Sequence, residues 1–243
     1  MILSIITVTK NCVATLDRTL ASIDRVKTDG IEYIVVDGES TDGTLELVKS
    51  HVGLVDQWVS EPDSGIYDAM NKGVKMATGR YVLFLNGDDS LSSDGFSTAF
   101  DRLAASEAGI VSGRCHLDGE DAANGFLIPS IWRLLFINTI PHPSTFARRN
   151  LLLARPFRTD FRIAADYEFF LVSYLNRVRF ELLDDVIANH FRGGVSSDVE
   201  RSMREVEQIR EERLGWKKGG LDIISRTYRS VKRVSKRLGV GVR

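Results

Sequence analysis

The run Tyr81-Val-Leu-Phe-Leu-Asn-Gly-Asp-Asp89 constrains the fold more than any other part of this 243-residue chain. A succession of apolar and aromatic residues reads as a strand buried on both faces, as in a parallel sheet covered by helices. The run stops at an amide, a glycine and two carboxylates. In open α/β sheets ligands bind outside the carboxyl ends of the strands, so these oxygens stand where a ligand is expected. Hard oxygens suit Mg²⁺ or Mn²⁺, ions that usually complete their coordination with substrate phosphates. A plainer reading is open at this point, because Asn-Gly between apolar runs signals a hairpin and aspartate is common in turns. The following Ser90-Leu-Ser-Ser-Asp-Gly95 does not alternate as a returning strand would.

The surrounding pattern favours the parallel sheet. Residues 2–9, 32–36, 55–59 and 80–85 read as strands, and 14–26, 42–51 and 66–77 as helices between them. Such alternation implies an α/β fold with helices on the faces of a mostly parallel sheet. Beyond residue 108 the pattern loosens. A strand is expected at 110–115, helices at 131–137, 164–175 and 198–214, and two short strands at 180–183 and 186–191. One domain over 1–216 is expected, with a ligand-binding half at 1–107 and a half at 108–216 that completes a substrate site.

Composition narrows the class. An apolar share of 43% and a charged share of 27% fit a soluble globular protein. Two cysteines, Cys12 and Cys115, are too few for a disulfide framework and read as reduced thiols in a cytoplasmic protein. The apolar N-terminus lacks a basic flank and a small-residue cleavage site, so it reads as a first strand and not a signal peptide. Charge is uneven. Residues 217–243 hold nine basic residues against the single acid Asp222, a net +8, which leaves −9 on the body of a chain whose total is −1. Within this tail Leu221, Ile224, Tyr228, Val231, Val234 and Leu238 recur at helical spacing. A basic amphipathic helix suits an anionic membrane surface, here the inner face of the cytoplasmic membrane. The acidic body argues against nucleic acid as a partner.

Several motifs place polar groups at strand ends. Thr7-Val-Thr-Lys-Asn11 closes the first strand, and Asp37-Gly-Glu-Ser-Thr-Asp-Gly-Thr44 closes the second. Asp37 is suited to a nucleobase imide or a ribose hydroxyl, or else to capping its own turn. Next, Glu61-Pro-Asp-Ser-Gly leads into a helix presenting Asp68, Asn71 and Lys72. Lys72 can neutralise a phosphate, although a solvated lysine is the commoner case. No Gly-x-Gly-x-x-Gly or Walker-type lysine loop follows the first strand, which weighs against dinucleotide hydride transfer, ATP hydrolysis and nucleotidyl transfer.

Taken in order, Thr-x-Thr-x-Asn, Val-Val-Asp-Gly-x-Ser-x-Asp-Gly-Thr, Asp-x-Gly-Ile-Tyr-Asp-Ala-Met-Asn-Lys-Gly and Phe-Leu-Asn-x-Asp-Asp resemble a family 2 glycosyltransferase of the GT-A fold. The resemblance implies an inverting enzyme that takes a sugar from a nucleotide diphosphate sugar, with a UDP-sugar as the expected donor. The acceptor would be a saccharide or lipid-linked saccharide in cell-surface polysaccharide or glycolipid synthesis. It makes Thr7, Thr9, Asn11 and Asp37 nucleotide contacts and puts Lys72 near the nucleotide. Asn86, Gly87 and Asp88 fall on the family's Asp-x-Asp metal motif; Asn86 replaces its first acid, so Asp88 becomes the main ligand, with Asp89 beside it. Ile163-Ala-Ala-Asp-Tyr-Glu-Phe-Phe170 resembles the acceptor-side acidic motif, which makes Asp166 the general base and Glu168 the runner-up. Without the resemblance Asp166 would read as a helix-terminal carboxylate. His142, in Pro141-His-Pro-Ser-Thr-Phe146, and His190 and Arg192, in a Gly-containing segment, are candidate acceptor or phosphate contacts. A sugar-nucleotide binder without turnover is the rival on the same fold.

Overall fold

A computed structural model describes residues 1–118, 125–191 and 198–215. The tail at 217–243 and Arg192 therefore lie outside the described residues. Strands β1 (Leu3–Thr9), β2 (Ile31–Asp37), β3 (Gln57–Ser60) and β4 (Tyr81–Phe84) are joined by helices α1 (Val13–Asp24), α2 (Thr44–Ser50) and α3 (Ile66–Met76). These strands lie parallel in the order β3, β2, β1, β4. Their near-continuous apolar runs follow from burial on both faces. Leu3, Ile5, Tyr33, Val35, Tyr81 and Leu83 pack towards α1 and α2. The alternate residues Ile6, Ile34, Val36, Val82 and Phe84 pack towards α3.

Sheet direction changes after β4. Strand β8 (Thr145–Arg148) joins β4 antiparallel, with Leu83 opposite Phe146. Strand β6 (Ile110–Asp118) follows, flanked by β7 (Gly125–Leu127) and by β9 (Phe180–Phe191), and β5 (Ser90–Leu91) closes the far edge against β9. The second half thus extends the sheet of the first, and two further helices, α5 (Arg149–Ala154) and α6 (Ala165–Leu175), share a core with α3. Helix α7 (Val199–Leu214) docks on α6 through Ile209.

Some expected elements differ. Residues 180–191 form one strand where two short ones were expected, and its register against β6 shifts between Ser112 and Arg114 and again before Cys115. The polar pair Asp184 and Asp185 reads as a break, but it falls at this irregularity within the strand. The helix expected at 131–137 is a short 3-10 turn, Trp132–Leu135. Helix α4 (Ser93–Ala105) was not anticipated, because Gly95 and several Ser and Thr residues hide the spacing of Phe96, Ala99 and Leu103. Asn86-Gly87 does make a turn, with the Asp89 amide donating to the Asn86 carbonyl at 3.1 Å. It is not a hairpin, since the strand that follows pairs with β9 and not with β4.

Candidate functional site

The carboxyl ends of β1, β2 and β3 converge on Asp37, which is 1% exposed. One carboxylate oxygen accepts from Thr9 Oγ1 at 3.0 Å and Ser40 Oγ at 2.5 Å. The other accepts from the Ser40 amide at 3.0 Å and Ser60 Oγ at 2.7 Å. Burial alone would raise the Asp37 carboxyl, but these hydrogen bonds, those of Ser40 foremost, outweigh it and hold it below its ordinary value. Around this hub the loops are stitched together. Asn11 sits at φ 50°, its amide donates to Ser40 Oγ at 2.8 Å, and its side chain accepts from the Thr41 amide at 2.8 Å. The left-handed conformation suits asparagine better than most residues. A Cβ at Gly38 would overlap Asp63 Oδ2, so any side chain there would displace that carboxylate.

Thr7 and Lys72 are placed differently from the strand-end group. Thr7 is fully buried, and its hydroxyl accepts from Tyr33 Oη at 3.0 Å. Lys72 on α3 turns back onto its own entry loop. It donates to the Pro62 carbonyl at 2.6 Å and pairs with Glu61 at 2.9 Å and Asp68 at 3.8 Å. The hydrogen bond to Glu61 pushes its pKa above the usual lysine value. Asn71 clips the second half in place, donating to the Phe157 carbonyl and accepting from the Phe157 amide.

The turn after β4 carries the acidic pair. Gly87 packs where a Cβ would lie 2.7 Å from Cys12 Sγ, and its carbonyl accepts from Thr15 Oγ1 at 2.8 Å. Asp89 is 0% exposed, and its Oδ1 pairs with His190 Nδ1 at 2.8 Å and accepts from the Phe191 amide at 3.1 Å. Asp88 is half-buried, with its carboxyl raised first by burial and then by the Asp89 charge. Arg18 of α1 donates to the Asp88 carbonyl and lies 4.9 Å over the Phe191 ring. Nothing in the sequence singled out Arg18.

The oxygens left over suit a divalent cation. Asn86 Oδ1 and Asp89 Oδ2 are buried with no hydrogen-bond donor, a costly state unless something positive answers them. Asn86, Asp88 and Asp89 are neighbours in one turn, and their side-chain oxygens are of the hard type Mg²⁺ and Mn²⁺ prefer. Among the described residues no group of three or more His, Cys, Asp or Glu side chains is arranged to hold a metal, so substrate phosphate and water would have to complete the shell.

Across the sheet edge, Asp166 lies in the first turn of α6 at 7% exposure. Tyr67 Oη donates to one of its oxygens at 2.9 Å and Asn138 Nδ2 to the other at 2.9 Å. Each oxygen keeps a lone pair for a proton. Tyr67 lay within a quoted motif, but Asn138 gave no signal in the sequence. Glu168 is committed elsewhere: it is buried and pairs with Arg213 at 2.5 Å. His142 is set among the rings of Phe84, Phe157 and Phe170, with a buried Nε2 that has no hydrogen-bond partner. Burial lowers its pKa, while the charges of Asp166 and Asp89 pull it up. His142 therefore lies within electrostatic reach of both acidic groups.

Comparison with known proteins identifies the family and the fold. The family model described as glycosyl transferase family 2 matches residues 4–162. The chain is 31% identical over 207 residues to a PGL/p-HBAD biosynthesis glycosyltransferase of Mycobacterium bovis, covering 81% of this chain and 79% of that one. It is 34% identical over 177 residues to an uncharacterized glycosyltransferase of Mycobacterium tuberculosis, covering 69% and 67%. The S. aureus TarS 1-349 crystal structure in complex with UDP shares the fold with a TM-score of 0.70 at 21% identity over 86% of this chain and 64% of that one. The mannosyltransferase PcManGT from Pyrobaculum calidifontis, in complex with GDP-Man and Mn²⁺, superposes with a TM-score of 0.62 at 26% identity, covering 77% and 56%.

Removal of the Asp37 carboxylate should cost stability as well as ligand binding. Asp37→Ala leaves buried donors without an acceptor and is expected to lose about 2–4 kcal/mol by urea denaturation. Because folding depresses this carboxyl, its contribution is complete above the unfolded carboxylate range and is lost as pH falls through the folded value. Asp37→Asn should therefore cost most near neutral pH and progressively less towards about pH 3. An equal cost at both pH values would contradict the assignment.

Proposed function

This chain belongs to glycosyl transferase family 2, and on that premise we propose that it transfers a sugar from a nucleotide diphosphate sugar to an acceptor hydroxyl with inversion at the anomeric carbon. The observation that carries the proposal is Asp166: a buried carboxylate, oriented on both oxygens by Tyr67 and Asn138, with lone pairs left to accept a proton. A general base requires such fixed geometry and an open acceptor site.

In the proposed reaction the acceptor oxygen forms a bond to the anomeric carbon as the bond from that carbon to the phosphate oxygen breaks. Asp166 takes the acceptor's proton, and the leaving nucleoside diphosphate carries the bond's electrons. Fixing both substrates in line supplies the proximity advantage. The strand ends at Thr9, Asn11, Asp37 and Gly87 form the donor floor, and His142 and His190 border it. Thr7 would contribute only from beneath this floor, and Lys72 would have to leave Glu61 to meet a phosphate. Asp88, with the side-chain oxygens of Asn86 and Asp89, would hold Mg²⁺ or Mn²⁺. When bound, that ion supplies Lewis-acid stabilisation to the departing diphosphate.

A UDP-sugar is the proposed donor, in line with the UDP bound by TarS, although PcManGT holds GDP-Man. The acceptor is proposed to be a saccharide or lipid-linked saccharide; the mycobacterial relative is named for PGL/p-HBAD biosynthesis. No helix of the described residues is long and apolar enough to cross a membrane. Attachment to the inner face of the cytoplasmic membrane is proposed to rest on the basic tail at 217–243, whose charge and spacing are legible in the sequence.

Asp166→Asn should reduce transfer by at least about 100-fold while nucleotide binding by calorimetry stays near that of the parent; full activity in that variant would remove Asp166 as the base. Asp88→Ala should abolish the increase in donor affinity on adding Mn²⁺, and an unchanged metal titration would exclude it as a ligand. Deletion of 217–243 should release the protein from anionic vesicles in a sedimentation assay. Retained binding would place the membrane contact elsewhere.

A further inference from the structure

Helix α7 reads as a solvated charged helix, yet one of its acids is buried. Glu205 is 7% exposed. Its carboxylate accepts from three successive main-chain amides: Arg162 at 3.0 and 3.1 Å to its two oxygens, Ile163 at 2.8 Å and Ala164 at 3.0 Å. Arg201 Nε, one turn earlier on α7, holds Oε1 at 3.0 Å. These amides directly precede α6, whose N-cap residue Ala164 offers no side-chain oxygen. Two of them, those of Arg162 and Ile163, lie ahead of the N-cap, so a carboxylate from α7 holds the segment that enters α6 and, through Ala164, the first donor of the helix start.

The consequence reaches Asp166. The Ile163 amide is held by Glu205, and the Ile163 carbonyl is held by Tyr67 Oη at 2.6 Å. The same Tyr67 hydroxyl lies 2.9 Å from Asp166 Oδ1, so its single proton is shared between the carbonyl and the carboxylate. Residue 163 is thus fixed at both main-chain polar groups, three positions before the carboxylate. Helix α7 is anchored in turn by Arg210 to the Phe136 carbonyl at 2.7 Å and by Arg213 to Glu168. Both Glu205 and Asp166 lie beyond the stretch matched by the family model, which ends at residue 162.

We infer that Glu205 is a positioning residue for the transfer reaction, setting the entry to α6 so that Asp166 meets the acceptor hydroxyl. The inference rests on the reading of Asp166 as the base. Glu205 does not touch the donor floor, so its loss acts on turnover and not on donor capture. Misplacement of a reacting group by about 1 Å can cost about 100-fold in rate.

The test compares Glu205→Ala, Glu205→Gln and Asp166→Asn in the full chain, using a UDP-sugar donor, a saccharide acceptor and thermal melting as a check on folding. Glu205→Ala is expected to lower kcat by about tenfold or more with donor KM unchanged. Glu205→Gln should fall between, since a carboxamide oxygen can still accept from Ile163 and Ala164 while its NH₂ faces Arg162 and Arg201. Where Glu205→Ala does not fold, the kcat of Glu205→Gln decides. Parental kcat in a folded Glu205 variant, alongside an inactive Asp166→Asn, would overturn the positioning role alone. So would a loss in which kcat and donor KM move together. Full activity in Asp166→Asn would overturn the base reading and this inference together.

Discussion

The buried carboxylate of Asp37 ties the ends of three neighbouring strands into one edge. Thr9 comes from β1, Ser60 from β3, and Ser40 from the loop that leaves β2. Without a shared acceptor these hydroxyls and the Ser40 amide would sit at the sheet edge with no common geometry. With it, the loops after β1 and β2 hold a fixed relation, and the Asn86–Asp89 turn packs beside them through Gly87 and Cys12. An anion satisfied by four protein donors has little left to offer a ligand. Asp37 is therefore first an organiser of the edge, and any contact with a nucleobase would require one of its present partners to yield.

On the proposed reading the two halves contribute unlike chemistry to one reaction. The parallel half would offer its strand ends and the unpaired oxygens of Asn86 and Asp89 to phosphate and cation. The second half offers a carboxylate that is oriented but not neutralised. They are joined because β8 pairs antiparallel with β4 and because Tyr67, on α3 of the first half, reaches Asp166 on α6 of the second. His142, ringed by aromatic side chains, lies within reach of the charges on both sides. On the proposed reading this arrangement separates leaving-group stabilisation from proton removal, as a direct displacement needs.

Much of the first half was legible in the sequence, because buried parallel strands write themselves as continuous apolar runs and their ends as abrupt polar motifs. The strands containing Ile5, Val35 and Leu83 follow from that rule alone. What was not legible depends on partners far along the chain. Asp89 reads as a metal-side neighbour of Asp88, and nothing local shows that His190, 101 positions later, pairs with it. Lys72 reads as a solvated lysine or, by the resemblance, as one near the nucleotide, and spacing alone does not reveal its pairing with Glu61 of the entry loop. Glu205 reads as one more charge on a polar helix, since nothing local reveals that it faces three amides of the segment entering α6. Helix α4 was missed for a local reason: the glycine in its first turn, which lies against the main chain of Val186, masks an otherwise regular apolar spacing.

The central claim is a single displacement at the anomeric carbon with Asp166 as the base, and the stereochemistry of the product tests it most directly. The chain would be incubated with an α-linked UDP-sugar, Mn²⁺ and a saccharide acceptor, and the anomeric configuration of the new linkage read by NMR before any equilibration. A β-linked product is predicted. An α-linked product would contradict the account, because retention cannot arise from one in-line attack by an acceptor that Asp166 has deprotonated.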